Sequence, residues 1–516
     1  MDLLSLLSLI LLLILLLILP VVIFFFFFHK QKTLQKKSPY PPGPLSLPFI
    51  GNLHQLHHNA ATHIYLWKLS KKHGPLMSMR LGSVPLLVVS STKIATQVLK
   101  TNDLSFCSRP KVLGQYKISY NASDIAFTPY SQSWRELRKI CVLHLLSSKQ
   151  LHSFGPVREE EVFRMIKNLS AFSDKAAVAN LSVTVLSLIS TMICRMAFGK
   201  MSDDVDEESR KRRFDELMIE SQAMLGGFFF SDYMPLFGWV DKLSGMIDRL
   251  DKVCKDLDEF FEALIDENLV RTRVKSVTNY NPNILDLLIQ LKEDESSSID
   301  LTWDNVKATL MDIFVAGTDT GTATIVWTMT ALMQNPTAMK KLQKEIRDLI
   351  GGKGKVNEDD IPNIPYLKAV IKEALRLYPP APLLLRQTLE KLNIEGYTIP
   401  PKTSIFINAW AIARDPEYWE NPNEFSPERF LNSDAADVTG QDFRVIPFGS
   451  GRRGCPGMAM GLAMVELAVA NLVYSFDWEL PNGMKEEDID SQVLPGLTMY
   501  KKIPLCLVPK TYNYTP

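Results

Sequence analysis

No cysteine in this 516-residue chain stands close enough to another to form a metal clip or a redox pair. Cys107, Cys141, Cys194, Cys254, Cys455 and Cys506 are scattered with no C-x-x-C spacing, which excludes the clustered ligands that zinc and iron–sulfur sites require. Charge imbalance is also lacking. The chain carries 57 basic and 57 acidic residues, so nothing steers it to nucleic acid or another polyanion. It has no internal repeat and no Gly/Ser linker. Length alone suggests about three domains, but without a break the body, 45–516, reads as one unit.

Residues Leu3 to Phe28 are almost wholly Leu, Ile, Val and Phe, interrupted by Ser5, Ser8 and Pro20. At about 1.5 Å per residue this run exceeds a hydrocarbon core of roughly 30 Å. A cleaved secretory leader is the competing reading. Against it, no Lys or Arg precedes the run, the run is too long, and no small-residue cleavage site follows. Residues 1–28 are therefore expected to be an uncleaved anchor. The basic flank Lys30, Lys32, Lys36 and Lys37 is expected to keep the body cytosolic, where thiols stay reduced. Residues 29–44 are a basic linker and hinge, ending in Pro39-Tyr40-Pro41-Pro42-Gly43-Pro44, which favours stiff extended backbone.

Beyond the hinge the pattern is mainly α with small β-sheets. Leu76–Leu81 and Leu86–Val89 read as a hairpin, and amphipathic windows run from about Trp134 to Ile265. A short helical piece, Ile284–Leu291, lies between polar loops. Strand character returns near Ile394–Ile407 and Val493–Val508.

Four constellations carry chemistry. The first is Pro447-Phe448-Gly449-Ser450-Gly451-Arg452-Arg453-Gly454-Cys455-Pro456-Gly457. Flanking glycines let backbone N–H groups approach the Cys455 sulfur, and such donors with nearby cations favour thiolate. A solitary cysteine suffices for haem iron, which takes one axial protein ligand. Chance matching of Phe448-x-x-Gly451-x-Arg453-x-Cys455-x-Gly457 in a chain this long is on the order of 10⁻⁴, which weighs against an incidental glycine-rich turn. The second is Ala316-Gly317-Thr318-Asp319-Thr320 within a helical window from about Thr302 to Gln334. A polar cluster inside an apolar helix is costly unless something polar faces it, and Gly317 is expected to loosen the helix locally. An ordinary helix with Thr320 bonding back to its own turn is the alternative. The third is Glu373-x-x-Arg376, on one helical face among apolar neighbours, with Arg429 in Pro427-Glu428-Arg429-Phe430. The fourth is Trp134-x-x-x-Arg138, one turn apart.

With these motifs in this order, the chain resembles the cytochromes P-450, the haem-thiolate monooxygenases. Phe49-Ile50-Gly51-Asn52-Leu53, Gly227-Phe228 with Asp232, and Pro495-Gly496-Leu497-Thr498 look like the plant microsomal A-type clade of specialised metabolism. The resemblance implies a P-450 fold behind a single N-terminal transmembrane helix, in the endoplasmic reticulum membrane and facing the cytosol. It implies haem b ligated by Cys455 and contacted by Phe448, Trp134, Arg138, Arg386 and Arg453, with the arginines on propionates. It assigns Thr320 to hydrogen-bond the activated dioxygen, Asp319 to relay protons, and Glu373, Arg376 and Arg429 to lock the loop beneath the haem. Gly321 stands where Ser or Thr usually follows, which puts local helix geometry in question. A membrane-bound NADPH reductase would supply electrons. Gln115, Ile118, Val315, Ala316, Ala381, Leu385, Leu497 and Thr498 would shape a pocket for a small lipophilic terpenoid, alkaloid or phenylpropanoid. Two alternatives remain: a haem-thiolate enzyme that rearranges or dehydrates an oxidised substrate, or handles an oxime as wording near Asn335-Pro336 resembles, and a haem-binding scaffold without turnover. The intact Asp319–Thr320 pair ranks both lower.

Overall fold

The computed structural model describes residues 40–56, 61–199, 207–274, 282–294, 300–432, 436–481 and 483–514. The expected anchor and most of the basic linker lie outside the described residues.

A long helix forms the axis of the molecule. Its start is set by a capping box, with Thr302 Oγ1 accepting from Asn305 N and Asn305 Oδ1 accepting from Thr302 N at 3.1 Å each. Such caps stabilise a helix by about 1 kcal/mol. Asn335-Pro336 ends it. Helices are numbered in chain order as α1 (Gln132–Ile140), α2 (Leu181–Phe198), α3 (Glu207–Leu225), α4 (the axial Trp303–Gln334), α5 (Pro365–Leu377) and α6 (Met458–Ser475), and α2, α3, α5 and α6 pack against α4. Helices α2 and α6 are apolar and long enough to cross a membrane by composition, but more than half of each is buried within the protein, at 56% and 61%. They are core helices.

Gly317 does not loosen α4, which runs unbroken from Trp303 to Gln334. Its role is packing. A Cβ on Gly317 would sit 2.9 Å from Ile193 Cδ1, and one on Gly321 would sit 3.4 Å from Ile189 Cγ2. The two glycines, one turn apart, form a groove that receives two isoleucines spaced one turn apart on α2. Gly321 therefore leaves the helix geometry intact.

The hairpin forms as expected, with β1 (Leu76–Leu81) antiparallel to β2 (Val84–Val89). Strand β2 then pairs in parallel with β4 (Ser404–Asn408), whose other edge takes β3 (Leu383–Gln387) antiparallel. This sheet ties residues near 85 to residues near 405, so segments far apart in the chain share one sheet. Small ladders join Leu392–Ile394 to Tyr397–Ile399, and Cys506–Thr511 to Ala179–Asn180 and Phe476–Glu479.

The proline-rich segment is docked on β1. Ser78 N donates to Pro42 O at 2.9 Å, and Ser78 Oγ donates to Pro41 O at 2.6 Å. What reads as a hinge in the sequence is fixed to the sheet at its C-terminal end.

Candidate active site

The cysteine loop is folded back on itself and held from both sides. Cys455 N donates to Phe448 O at 2.8 Å, and Arg138 Nη2, from α1, donates to Gly454 O at 2.6 Å. Gly451 has φ +66°, and a Cβ there would lie 2.5 Å from Asp103 Oδ1. Only glycine satisfies both the backbone and the space. Asp103 also takes Arg452, at 2.7 Å, which raises the Arg452 pKa and gives that arginine a structural partner.

Cys455 opens onto a cavity of about 260 Å³, lined among others by Arg138, Phe448, Gly449, Gly454 and Met458. Its sulfur stands just before the N-terminus of α6, whose N-cap is Gly457. Desolvation raises the thiol pKa, while the Gly457 amide and the Arg138 guanidinium favour the anion. A metal on the sulfur would remove the proton outright.

Beside the loop four guanidinium groups gather. Arg386 is wholly buried on β3, and its Nε and Nη2 atoms have no hydrogen-bond partner. Burial and the charges of Arg109 and Arg453 push its pKa well below the ordinary value. Arg109 falls to about 10, through burial and then Arg138, with Asp124 and Asp312 opposing. Arg453 falls to about 9, through burial and Arg109. Arg138 is lowered by burial. Buried cations are costly without an anion. A flat group with two carboxylates fits this cluster, and Arg386 has open donors for it.

Two expected propionate contacts are otherwise engaged. The Trp134 indole N–H donates to Ile125 O at 3.0 Å. Arg453 donates to the carbonyls of Cys107, Ile125 and Thr128 at 2.7, 3.1 and 2.6 Å, with its guanidinium carbon 3.9 Å from the centre of the Trp134 ring. In this geometry Arg453 ties the cysteine loop to the 107–128 segment. Arg109, not anticipated from the sequence, bonds Ala126 O at 2.9 Å and also donates to Leu385 O. Ser108-Arg109-Pro110 carries no local pattern that distinguishes it from a turn.

The Glu373 group assembles in full. Arg376 donates to both Glu373 oxygens at 2.6 and 2.8 Å, and to the carbonyls of Ala413, Pro422 and Glu424. Arg429 Nε lies 3.5 Å from Glu373 Oε1, and Ser426 N donates to the same oxygen at 2.9 Å. Glu373 and Arg376 are completely buried.

On α4, Ala316 is exposed and Thr320 half-buried, although most of the helix is buried. Their shared face is left uncovered by protein. Thr320 Oγ1 donates to Ala316 O at 2.6 Å. The Asp319 side chain turns elsewhere. Its Oδ1 accepts from Tyr500 OH at 2.8 Å and from Gln222 Nε2. Burial lifts its pKa to about 7 against the pull of these two donors. Neither Tyr500 nor Gln222 is signalled by any local motif.

The expected pocket residues are spread over several elements. Gln115 and Ile118 are buried in the short helix Leu113–Ile118. Gln115 Nε2 bonds Leu225 O at 3.4 Å, and Asp232 Oδ1 accepts from Leu113 N at 2.9 Å. Val315 is half-buried on α4, and Ala381 and Leu385 are half-buried before and on β3. Leu497 is exposed, with its Cγ 4.0 Å from where a Gly226 Cβ would lie, and Thr498 follows it. Helix 113–118, the 225–232 segment and the 497–500 segment thus meet as a roof.

Among the described residues no three His, Cys, Asp or Glu side chains converge as metal ligands. The family model described as cytochrome P450 matches residues 41–507. The chain is 49% identical over 493 residues to 6,7,8-trihydroxycoumarin synthase of Pastinaca sativa, covering 94% of this chain and 95% of that one. It is 46% identical to strychnine-11-hydroxylase of Strychnos nux-vomica, covering 93% and 92%. A zebrafish cytochrome P450 structure with progesterone superposes with a TM-score of 0.73 at 24% identity, covering 88% of this chain and all of that chain. That likeness concerns the fold.

Proposed function

This chain belongs to the cytochrome P450 family, among its plant A-type members, and from that premise we propose how its own residues serve the reaction and on what substrates. The protein is a haem-thiolate monooxygenase of specialised metabolism that draws electrons from NADPH through a reductase. When bound, the haem supplies dioxygen activation, and one oxygen atom enters the substrate.

Cys455 supplies the thiolate. The observation that carries this reading is the Cys455 sulfur opening onto a cavity shared with Arg138, which belongs to a buried cationic cluster containing the open guanidinium of Arg386. Arg386 meets a propionate, and Arg138 holds the loop while facing the same anion. Thr320 serves at the uncovered face of α4, and Asp319, buried behind it against Tyr500 and Gln222, relays protons to that face. Glu373, Arg376 and Arg429 keep the 413–426 segment in place under the loop.

The substrate is a planar oxygenated aromatic or an alkaloid. The coumarin and alkaloid activities in the names of relatives 46–49% identical support this, as do the apolar Ile118, Val315, Ala316, Leu385 and Leu497 with few polar groups among them. The body is cytosolic, on the endoplasmic reticulum membrane. The apolar run and its basic flank support a single span. A second support is an exposed apolar face comprising Phe49, Leu236, Phe237, Trp239 and Leu243. These residues belong to one region, because Gly82 N bonds Ile50 O and Ser83 N bonds Tyr233 O.

The test is the reduced carbon-monoxide complex of the purified protein, with and without Cys455→Ser, followed by screening coumarins and alkaloids with reductase and NADPH. The wild type should give the strongly red-shifted thiolate Soret band and the variant should lose it. A variant that keeps the band would reject Cys455 as ligand. An intact band with no turnover of either class would reject the substrate assignment.

A further inference from the structure

Asp319 is the polar residue of α4 whose partners come from the two segments nearest the roof. Tyr500 stands two residues after Thr498, in a segment fixed to the core by Trp327 Nε1 donating to Met499 O at 2.7 Å and by Met499 N donating to Pro380 O at 2.8 Å. Gln222 lies on α3, three residues before Leu225, the residue whose carbonyl accepts from Gln115. Both donors meet the same oxygen, Asp319 Oδ1. Among the described residues Oδ2 has no hydrogen-bond partner.

Among the described residues no charged group neutralises Asp319. Helix α2 presents Ile189 and Ile193 to this stretch of α4. On α3, Asp215 bonds Ser190 Oγ at 3.1 Å. Lys501, next to Tyr500, donates instead to Asp490 O and lies over the Trp327 ring. The carboxyl is therefore held by two neutral donors in a buried setting, where each bond to the charged form weighs heavily.

We propose that Tyr500 and Gln222 are positioning residues that clamp one oxygen of Asp319, leaving the other to exchange protons, and that couple this acid to the roof. The inference rests on the reading of Asp319 as the proton-delivering acid. Because the donors sit on the segments carrying Leu497, Thr498 and Leu225, a substrate that shifts the roof also shifts the strength of the clamp. Chemically, Asp319 Oδ2 gives up a proton toward the Thr320 side and regains one from water. Oδ1 stays fixed by its donors throughout.

The experiment uses the haem-loaded protein and its Tyr500→Phe, Gln222→Leu and Asp319→Asn variants, each checked for the thiolate band. Infrared difference spectra across pH follow the carbonyl stretch of the protonated carboxyl, assigned by its loss in Asp319→Asn. Removing a donor to the charged form should move its midpoint upward by about one pH unit in Tyr500→Phe, and upward in Gln222→Leu. The pH at which NADPH consumption uncouples into peroxide should move the same way. A midpoint unchanged in both variants would overturn the clamp. The underlying reading is tested separately: Asp319→Asn and Thr320→Ala should lose coupling, and wild-type coupling in both would remove Asp319 from proton delivery whatever the infrared result.

Discussion

On the cysteine side, guanidinium groups are tied down: Arg138 to Gly454 and Arg453 to three carbonyls, and on α5 Arg376 to the Glu373 carboxylate and three further carbonyls. Around the roof, contacts are fewer and longer. Gln115 reaches Leu225 O at 3.4 Å, Asp232 meets one amide, and Leu497 is exposed. One side of the site must hold a single sulfur at one place for every substrate. The other must admit and release molecules. Dense charged hydrogen bonding suits the first task, because each bond is strong and directional. Sparse apolar contact suits the second, because local opening is cheap where few buried contacts are lost.

The comparison predicts that equal-sized injuries have unequal costs. Glu373→Ala leaves Arg376 buried and unpaired, which should cost about 3–5 kcal/mol. Urea unfolding should show the midpoint collapse together with haem loss. An effect below about 1 kcal/mol would mean that the cysteine side is less constrained than its bonding implies.

Asp319→Asn sits between the two regions and should act through pH. Below the ordinary carboxylate value of 3.8, folded and unfolded chains both hold the proton. Between 3.8 and about 7 only the folded chain holds it, since burial raises the pKa there. The unfolded state then binds fewer protons, so stability falls as pH rises across that window and is flat above it. Asparagine removes this slope. The melting temperature of the variant relative to wild type should climb from about pH 4 to 7 and then level off. A constant difference would place Asp319 in a less buried setting.

The smallest effect belongs to the roof. Gln115→Ala removes one long hydrogen bond and should change stability by under about 1 kcal/mol, while altering KM for coumarins or alkaloids. Unchanged KM with lowered stability would make Gln115 a strut.

What could be read in the sequence follows the same divide. The Cys455 loop, the Glu373–Arg376 pair and the axial helix are local patterns, with chemistry written within a few residues. Hairpin and helix positions followed from periodicity, and α4 began at the expected Thr302. Other features depend on partners a hundred or more residues away. Arg109 with Leu385, Asp319 with Tyr500 and Gln222, and Arg453 with Ile125 bring together segments that show no mutual signal in one chain. Gly317 illustrates the limit: a glycine in a helix marks either a distortion or a close neighbour, and only the position of Ile193 distinguished them.

The guanidinium cluster also bears on how the protein is made. Burial disfavours the charges of Arg109, Arg138, Arg386 and Arg453, and Arg109 and Arg453 add repulsion at Arg386, so a bound dianion would relieve that cost. By mass action, whatever binds only the folded state shifts folding in its favour. A dianionic cofactor that fills this space would act as a folding ligand for the chain, and its removal should lower the melting temperature.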